Sequence, residues 1–552
     1  MIYNGHPHRV TPASKRQRSR IALVAASTAL LCGGAALPAS SAVWAPAQPA
    51  AAAALASSSS SGNQSPPLPT SLTRQQLDWQ SCPAPTSLQS PGGSAPGALP
   101  DGTPWECATL KVPLDYSDPD GKTIDLALIR AKARPQDGEE RIGSLVFNFG
   151  GPGGSGVADL PQLSAQYAEL HGRYDLVSFD PRGVGASAPV RCLDDKDTET
   201  LSQFDGTPET DKEAQDLLAL SNKYLPACEQ NSGEILPHVG TIDAARDMDL
   251  LRQVLGDDKL NYFGISYGTE LGGVYAHLFP EHVGRAVFDA VVDPTEDDAQ
   301  QLLDQTKGFQ LALDNYLKDC VAQPDCPVGN SVEEGRKEIV ELLNRIGEHP
   351  LPTSDGRQIT RDLAETGIMA AMYSEEYWPY LTRALQEVQQ NNTADTLLRI
   401  ADSYVGRDPN GHYTNTGDAF RAIHCADSSE RYTEADVEAM LPEFRAASPV
   451  FGEDMAVGLM SCTDWPVDGE SRTPDVSAEG AGPILLVGNT GDPATPYAGT
   501  ERMAEELGEG VAVELTNKGE GHGAYGTDDC VTKTVNAYLL EGEVPEDGTV
   551  CE

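Results

Sequence analysis

One stretch of nine residues constrains the fold of this chain more than any other. Residues 260–268 read Leu-Asn-Tyr-Phe-Gly-Ile-Ser-Tyr-Gly, an apolar run that ends in Gly264-x-Ser266-x-Gly268, and a helix-like segment follows at 269–279. A tight turn of this kind between a strand and a helix is a nucleophile elbow, in which small neighbours let the serine hydroxyl stand at the edge of a sheet. The stretch therefore predicts a serine hydrolase with Ser266 as its nucleophile.

The motif needs support from the rest of the chain, because 53 of the 552 residues are glycine and a buried serine in an ordinary turn is the alternative. Residues 241–255 have the hydrophobic period of a helix. Strands are predicted at residues 112–114, 124–131, 143–148, 174–179, 261–265, 285–292 and 483–488. Alternating strands and helices predict an α/β fold with a mostly parallel sheet.

Residues 296–481 have a different character, acidic and rich in amphipathic helical runs. The runs cover residues 298–317, 332–346, 359–372, 377–390 and 434–444. We interpret this segment as a helical cap inserted between two parts of an α/β core, residues 72–295 and 482–552. Ligand sites in such sheets lie beyond the C-terminal ends of the strands, so the cap should roof the active site.

The first 71 residues are predicted to lie outside the fold. Five basic residues between positions 9 and 20 precede an apolar run at 21–31 and small residues at 39–42, which is the pattern of a secretory signal at residues 1–42. Residues 43–71, rich in Ala, Ser and Pro, predict a disordered spacer or pro-segment. No other stretch reaches 18 apolar residues, so we expect a secreted, extracellular protein that does not enter membranes.

Cysteine usage supports export. Cys32 lies in the predicted signal, and the other ten cysteines show no zinc-type Cys-x-x-Cys spacing, so no metal site is expected. Disulfides are the default in an oxidising compartment. Pairing neighbours along the chain predicts five of them: Cys82–Cys107, Cys192–Cys228, Cys320–Cys326, Cys425–Cys462 and Cys530–Cys551.

The formal net charge of the chain is −44. A surface of this sign repels nucleic acid and anionic membrane, so neither is an expected partner. It favours a substrate that carries a positive amine. Solubility outside the cell explains the charge equally well.

A serine nucleophile needs a base and a carboxylate that orients the base. In α/β-hydrolases the acid and then the histidine follow the serine along the chain. His522 lies in a glycine-flanked loop shortly before a predicted terminal helix and is the predicted base. Asp492 directly follows a predicted strand and is the predicted acid, with Asp289 and Asp293, at the end of an earlier strand, as rivals.

Acyl transfer also needs N–H donors for the developing oxyanion. The backbone of Tyr267, directly after the serine, should supply one of them. The second should come from the glycine-rich loop after the strand at 143–148, where Gly150 and Gly151 are the candidates. No Gly-Lys-Ser/Thr ending follows this loop, so it is not a phosphate-binding loop and no cofactor is expected.

Several motifs then occur in a characteristic order. They are the glycine-rich run at 150–156, Asp-Pro-Arg-Gly-Val-Gly-Ala-Ser at 180–187, Gly-Ile-Ser-Tyr-Gly at 264–268, Gly-Asp-Pro-Ala-Thr-Pro at 491–496 and Gly-His-Gly at 521–523. Together they resemble the secreted tripeptidyl aminopeptidases of actinomycetes, relatives of the prolyl aminopeptidases in the α/β-hydrolase superfamily. The resemblance runs from Leu77 to the C-terminus and includes Ala-Ile-His-Cys-Ala-Asp at 422–427.

The resemblance implies a triad of Ser266, Asp492 and His522 and the release of short peptides, tripeptides foremost, from free peptide N-termini. The chain departs from the pattern at Phe149, where prolyl aminopeptidases usually carry histidine, so a preference for proline stays open. A capped esterase or lipase and a proline-type aminopeptidase are the alternatives. A serine at the elbow argues against an epoxide hydrolase or a dehalogenase, and a complete triad against a non-catalytic binding protein.

An enzyme that acts on peptide N-termini must bind a free amine. A buried ammonium needs a carboxylate partner. The acidic residues of the predicted cap that we consider for this role are Glu375, Glu376 and Asp427.

Overall fold

The computed structural model describes residues 66–135, 139–203, 211–470 and 474–552. The predicted signal at 1–42 and most of the predicted spacer, residues 43–65, lie outside the described residues. Within the described part of the chain, no helix is long and apolar enough to cross a membrane.

Ten strands of the described residues form one sheet, and a separate two-stranded hairpin, β8 and β9, lies within the predicted cap. The strands are β1 Gln80–Ser81, β2 Glu106–Pro113, β3 Thr123–Ala131, β4 Gly143–Asn148, β5 Tyr174–Phe179, β6 Leu260–Ile265, β7 Val283–Asp289, β8 Leu351–Pro352, β9 Gln358–Ile359, β10 Ile484–Gly491, β11 Ala512–Glu520 and β12 Thr549–Cys551. Their order in the main sheet is β1-β2-β3-β5-β4-β6-β7-β10-β11-β12. The neighbouring strands β5, β4, β6, β7, β10, β11 and β12 run parallel to one another. At the other end of the sheet, β1, β2 and β3 pair antiparallel, and β3 pairs antiparallel with β5. This confirms the predicted, mostly parallel α/β fold.

Helices cover both faces of the sheet and make up most of the segment predicted as the cap. They are α1 Thr70–Thr73, α2 Gly156–Leu163, α3 Ala168–His171, α4 Asp195–Ser202, α5 Asp211–Ser232, α6 Thr241–Leu255, α7 Tyr267–Leu278, α8 Asp298–Ala322, α9 Val332–Glu348, α10 Arg361–Ala370, α11 Trp378–Asn391, α12 Asp395–Tyr404, α13 Thr416–Asp427, α14 Glu434–Ala447, α15 Gly452–Gly458, α16 Ala498–Leu507 and α17 Asp529–Asn536. Short 3₁₀ turns follow several of them, including Ala371–Tyr373 and Glu375–Tyr377, and a π-helical turn, Ala537–Glu541, follows α17.

The central strands read as apolar runs because both faces of the sheet are covered. All six residues of β4 are buried, and Val146 and Phe147 belong to different hydrophobic clusters on opposite faces. Successive side chains of a strand point to opposite faces, so a strand covered on both sides loses the alternation of an exposed one. This burial explains why β4 and β5 have the predicted bounds.

Several strands differ from their predictions: β2 begins at Glu106 rather than at residue 112, β1 and β12 were not predicted, and two further differences bear on the site. β7 ends at Asp289, three residues before the predicted end of this strand, so Asp289 is its last residue and Asp293 lies in the following loop. β11 was not predicted, because Lys518, Glu514 and Glu520 interrupt its apolar positions. This strand leads directly into the loop that carries His522.

The segment predicted as the cap has a hydrophobic core of its own. Buried side chains of α8, α9, α10, α11 and α12 form one cluster, separate from the clusters on the two faces of the sheet. Helix α13 falls within the segment predicted as cap, yet its buried residues Ala419, Ala422 and Ile423 pack in the cluster of the α/β core. The predicted cap segment thus returns to the core before the sheet resumes at β10.

The described residues contain five disulfides. They are the pairs expected from neighbour order: Cys82–Cys107, Cys192–Cys228, Cys320–Cys326, Cys425–Cys462 and Cys530–Cys551. Each closes a local loop, and none joins the sheet to the cap cluster of α8–α12. The last pair ties β12 to α17, directly behind the loop of His522.

Candidate active site

Ser266 lies in a strained turn between β6 and α7. Its φ of 58° and ψ of −128° are unfavourable for a residue with a side chain. The turn is tight: a Cβ at Gly264 would lie 2.3 Å from the carbonyl oxygen of Gly268. The N–H of Ser266 donates to the carbonyl of Asp289 (3.0 Å), and its own carbonyl accepts from the N–H and the hydroxyl of Thr269 (2.7 Å each). These bonds hold the predicted nucleophile at the C-terminal edge of the sheet.

The glycine-rich loop after β4 packs directly on this turn. A Cβ at Gly150 would lie 2.9 Å from the Cβ of Ser266 and 3.3 Å from the nitrogen of Tyr267, so only glycine fits there. The N–H of Gly150 already donates to Oδ1 of Asn148 (3.0 Å). Among the described residues, the N–H groups of Gly151 and Tyr267 have no protein acceptor, which leaves these two of the three predicted donors for an oxyanion.

The motif at 180–187 supports this loop from the core side. Oδ1 of Asp180 accepts from the hydroxyl of Ser155 (2.6 Å) and from the N–H of Val157 (3.1 Å), at the start of α2. Arg182 is fully buried and donates to both carboxylate oxygens of Asp247 (2.7 and 2.8 Å). The two side chains fasten the glycine loop and the helices behind it.

His522 lies in a loop that other segments hold in place. Its neighbours Gly521 and Gly523 both have positive φ, +91° and +86°, which few residues besides glycine adopt. The side-chain amide of Asn489, near the end of β10, donates to the carbonyls of Gly521 (2.9 Å) and Gly523 (3.0 Å). Sequence reasoning missed Asn489, which the sequence places three residues before Asp492.

Asp492 contacts the ring of His522 from the end of β10. Its two carboxylate oxygens lie 2.9 and 3.0 Å from Nδ1 of His522. The Asp492 side chain is fully buried, and it also accepts from the N–H groups of Ala494 and Thr495 (2.9 Å each). An Nδ1–H held by this carboxylate leaves Nε2 free to act as a base.

The two rival acids have other partners. The carboxylate of Asp289 accepts from the N–H groups of Ala524 (3.0 and 3.1 Å) and Tyr525 (2.9 Å), and so holds the segment after His522. Asp293 caps its own turn by accepting from the N–H and hydroxyl of Thr295. Asp289 thus links the two halves of the site, since its backbone carbonyl binds the elbow and its side chain binds the histidine loop.

The electrostatics of the site raise the pKa of His522 above its ordinary 6.5. Burial by itself lowers this pKa, but the charge of Asp492, the hydrogen bond to it and the charge of Asp289 outweigh burial. Burial also raises the pKa of Asp289 to about 6, against the hydrogen bonds from Tyr525 and Ala524, which lower it. The charges of Asp492 and Asp289 therefore both favour the protonated imidazole of His522.

The three candidates for amine binding lie in two places. Glu375 and Glu376 are exposed on a turn of the cap. Asp427 lies at the end of α13 and accepts from the N–H and the hydroxyl of Thr241 (2.7 Å each), and this hydroxyl lies 2.6 Å from that of Tyr267. The side chain of Tyr267 thus leads from the elbow to Asp427.

A further carboxyl group near Asp427 escaped sequence reasoning. Glu270, in the first turn of α7, lines a cavity of about 310 Å³ together with Asp427, His424 and Glu470. Burial, and then the charge of Asp427, raise the pKa of Glu270 to about 8; burial raises that of Asp427 to about 7, although the hydrogen bonds from Thr241 lower it. The signal in the sequence was a carboxyl group four residues after the predicted nucleophile, in the first turn of the helix that follows the elbow.

A serine in a strand-to-helix turn, with a histidine and a carboxylate at the ends of further parallel strands, defines a serine hydrolase of the α/β-hydrolase type. The family model described as TAP-like protein matches residues 448–551. Serine protease Hip1 of Mycobacterium tuberculosis is 36% identical over 500 residues, covering 86% of this chain and 91% of that protein. Carboxylesterase B of the same organism is 34% identical over 456 residues, covering 81% of this chain and 86% of that protein.

Tripeptidyl aminopeptidase of Streptomyces lividans is 31% identical over 488 residues, covering 87% of each chain. These matches extend over most of both partners, so the chain belongs to the tripeptidyl aminopeptidase-like serine peptidases. It is a serine peptidase that acts on peptides.

Proposed function

We propose that this chain is an exported exopeptidase that releases short peptides, foremost tripeptides, from free N-termini through an acyl-enzyme on Ser266. The observation that carries the proposal is the roof over the site. Tyr373 of the cap contacts His522, and a Cβ at Gly153 of the glycine loop would lie 2.7 Å from the carbonyl of Thr416 in α13. Segments from the cap range thus meet the catalytic loops on two sides, which favours chain ends over folded protein as substrates.

In the proposed reaction, Nε2 of His522 removes the proton of the Ser266 hydroxyl as Oγ attacks the scissile carbonyl. The N–H groups of Tyr267 and Gly151 stabilise the oxyanion of the tetrahedral intermediate. His522 then donates the proton to the leaving amine, and a water activated in the same way hydrolyses the acyl-enzyme. Asp492 keeps the proton on Nδ1 and stabilises the imidazolium.

We assign the substrate amine to Asp427, with Glu270 beside it, rather than to Glu375 or Glu376. The charge of Asp427 raises the pKa of the buried Glu270, and a bound ammonium would relieve that repulsion. The side chains of Tyr267 and Thr241 join the elbow to Asp427 through consecutive hydrogen bonds, so this carboxylate is connected to the predicted nucleophile. The exposed Glu375 and Glu376 lack such an enclosed setting.

The proposal that the protein is exported, and that it binds neither nucleic acid nor membrane, rests on its disulfides and its net charge. Five disulfides favour an oxidising compartment outside the cytosol. The net charge of −44 disfavours nucleic acid and anionic membrane as partners. Peptides with a free amine remain the proposed substrates.

The direct test is a mass-spectrometric time course on an unblocked peptide and its N-acetylated copy. Acetylation removes the charge and adds bulk, so kcat/KM should fall by at least roughly 100-fold, about 2.7 kcal/mol. Asp427→Asn and Glu270→Gln should weaken free peptides far more than nitrophenyl esters, with Glu376→Gln as the exposed comparison. Equal hydrolysis of blocked and free peptides would defeat the exopeptidase assignment.

An esterase is the second candidate, because one of the similar proteins is named Carboxylesterase B. The same triad serves both reactions. This alternative would be favoured if the enzyme turned over small nitrophenyl esters much faster than any unblocked peptide and if Asp427→Asn did not change the rate on peptides.

A further inference from the structure

The loop of His522 contacts the cap as well as the core. The N–H of His522 donates to the carbonyl of Tyr373 (2.9 Å), which is the last residue of the 3₁₀ turn Ala371–Tyr373 after α10. The backbones approach closely here, since a Cβ at Gly521 would lie 3.0 Å from that carbonyl oxygen and 3.4 Å from Cα of Ser374. The backbone of the proposed base is therefore bonded to the cap.

The aromatic ring of Tyr373 makes a second contact with the same residue. It lies 5.3 Å from the imidazole of His522 with the two planes at 90°, an edge-to-face arrangement. An edge-to-face contact between two aromatic rings favours one relative orientation of their planes. With Asp492 at Nδ1, the ring therefore has neighbours from two different parts of the chain.

The other sides of the Tyr373 ring belong to the cap. Phe309 of α8 lies 5.5 Å away and Tyr404 of α12 lies 5.6 Å away, and the hydroxyls of Tyr373 and Tyr404 are 3.1 Å apart. Both contacts come from helices that form the separate cap cluster. The orientation of Tyr373 is thus set by the packing of the cap.

We infer that Tyr373 is a positioning residue through which the docked cap orients the imidazole of His522. The cap then does more than enclose the substrate, because the catalytic geometry is complete only when the cap is seated on the histidine loop. This inference rests on the proposed role of His522 as the base. It predicts that loss of the Tyr373 ring lowers the rate of the chemical step for any acyl substrate, including one too small to touch the cap.

The experiment compares Tyr373→Leu with Tyr404→Phe in the full chain. Turnover is measured on an unblocked tripeptide nitroanilide and on nitrophenyl acetate, and each kcat is divided by the active sites titrated with a fluorophosphonate. A base displaced by about 1 Å can cost on the order of 10²-fold in rate, so kcat of Tyr373→Leu should fall by that order on both substrates while KM changes little. Tyr404→Phe removes the hydroxyl contact without touching His522 and should stay close to wild type.

Conservative and parallel variants separate the possible outcomes. Tyr373→Phe keeps the ring and should recover most of the kcat lost in Tyr373→Leu. If Tyr373→Leu unfolds, Tyr373→Met keeps the bulk without the aromatic ring and takes its place. A raised KM for the peptide with unchanged ester kcat overturns the inference, as does a loss that phenylalanine does not restore. Full activity of His522→Ala would overturn the proposed base together with the inference. If His522→Ala is inactive while Tyr373→Leu keeps its activity, the inference about Tyr373 fails and the proposed base stands.

Discussion

The elbow of Ser266 and the loop of His522 lie side by side but are held in opposite ways. The elbow is shaped within a few residues, by two glycines and by the change from β6 to α7, with one bond to Asp289. The histidine loop has two glycines as well, but its position depends on Asn489, Asp492, Asp289 and Tyr373. A local turn carries its own geometry, whereas a free loop acquires it from distant segments.

The largest loss of turnover is expected from a substitution in the elbow. Ser266→Ala should lower turnover by about 10⁴–10⁶-fold and abolish fluorophosphonate labelling, because removal of a triad member costs this much. Circular dichroism and the Tm should stay unchanged, since the turn is shaped by its glycines. Near-normal turnover would place the nucleophile elsewhere.

The next largest loss of turnover is expected from a substitution of the acid that contacts the histidine loop. Asp492→Asn should lower kcat by about 10⁴-fold, because an amide at this position favours the wrong tautomer of His522. Asp293→Asn is the matched control, since Asp293 caps a turn and does not contact the loop. A severe loss in the control with a mild one in Asp492→Asn would contradict the assignment of the acid.

A smaller effect is expected from the residue that joins the two regions. Asp289→Asn leaves the backbone bond to Ser266 but replaces one acceptor by a donor facing Ala524 and Tyr525, so kcat should fall by about 10–100-fold. Fluorophosphonate labelling is expected to slow rather than disappear. Loss of the elbow itself in this variant would show that the two regions are not held independently.

The same variant carries a pH prediction. The active imidazole is neutral, so activity rises with pH through the pKa of His522, which lies above 6.5 in the native protein. The charge of Asp289 contributes to that upward shift, and its removal should move the acidic limb of the kcat/KM profile to lower pH. An unchanged limb in Asp289→Asn would mean that its charge does not reach the imidazole.

The smallest effect concerns a disulfide behind the loop. Cys530–Cys551 and Cys82–Cys107 close loops of similar size, with sequence separations of 21 and 25, so replacing either pair by serine should cost about 3 kcal/mol of stability. Only the first pair adjoins the histidine loop, so its loss should inactivate the enzyme below the Tm of global unfolding. If both variants lost activity only at the temperature at which they unfold, the Cys530–Cys551 disulfide would have no special effect on the histidine loop.

The sequence allowed the fold and the residues of the candidate site to be predicted because their signals are local. Buried parallel strands such as β4 are continuous apolar runs, and the elbow is a short motif with a steric reason. The neighbour-paired disulfides also join cysteines close in the chain. The helices of the segment 296–481 were predicted from their period, but the return of α13 to the core was not, since amphipathic helices look alike whichever core they face.

What the sequence by itself determined is which residues are candidates for the chemistry: a serine in a tight turn, a histidine between glycines and an aspartate after a strand. Only the tertiary structure decided how they are held. It put Asp492, and not Asp289, against Nδ1 of His522, used the N–H of Gly150 within its own loop, left Glu375 and Glu376 on the surface, and brought Tyr373 onto His522. The reason is physical, because contacts between segments far apart in the chain depend on how the sheet and the cap pack, and no short pattern of residues encodes that packing.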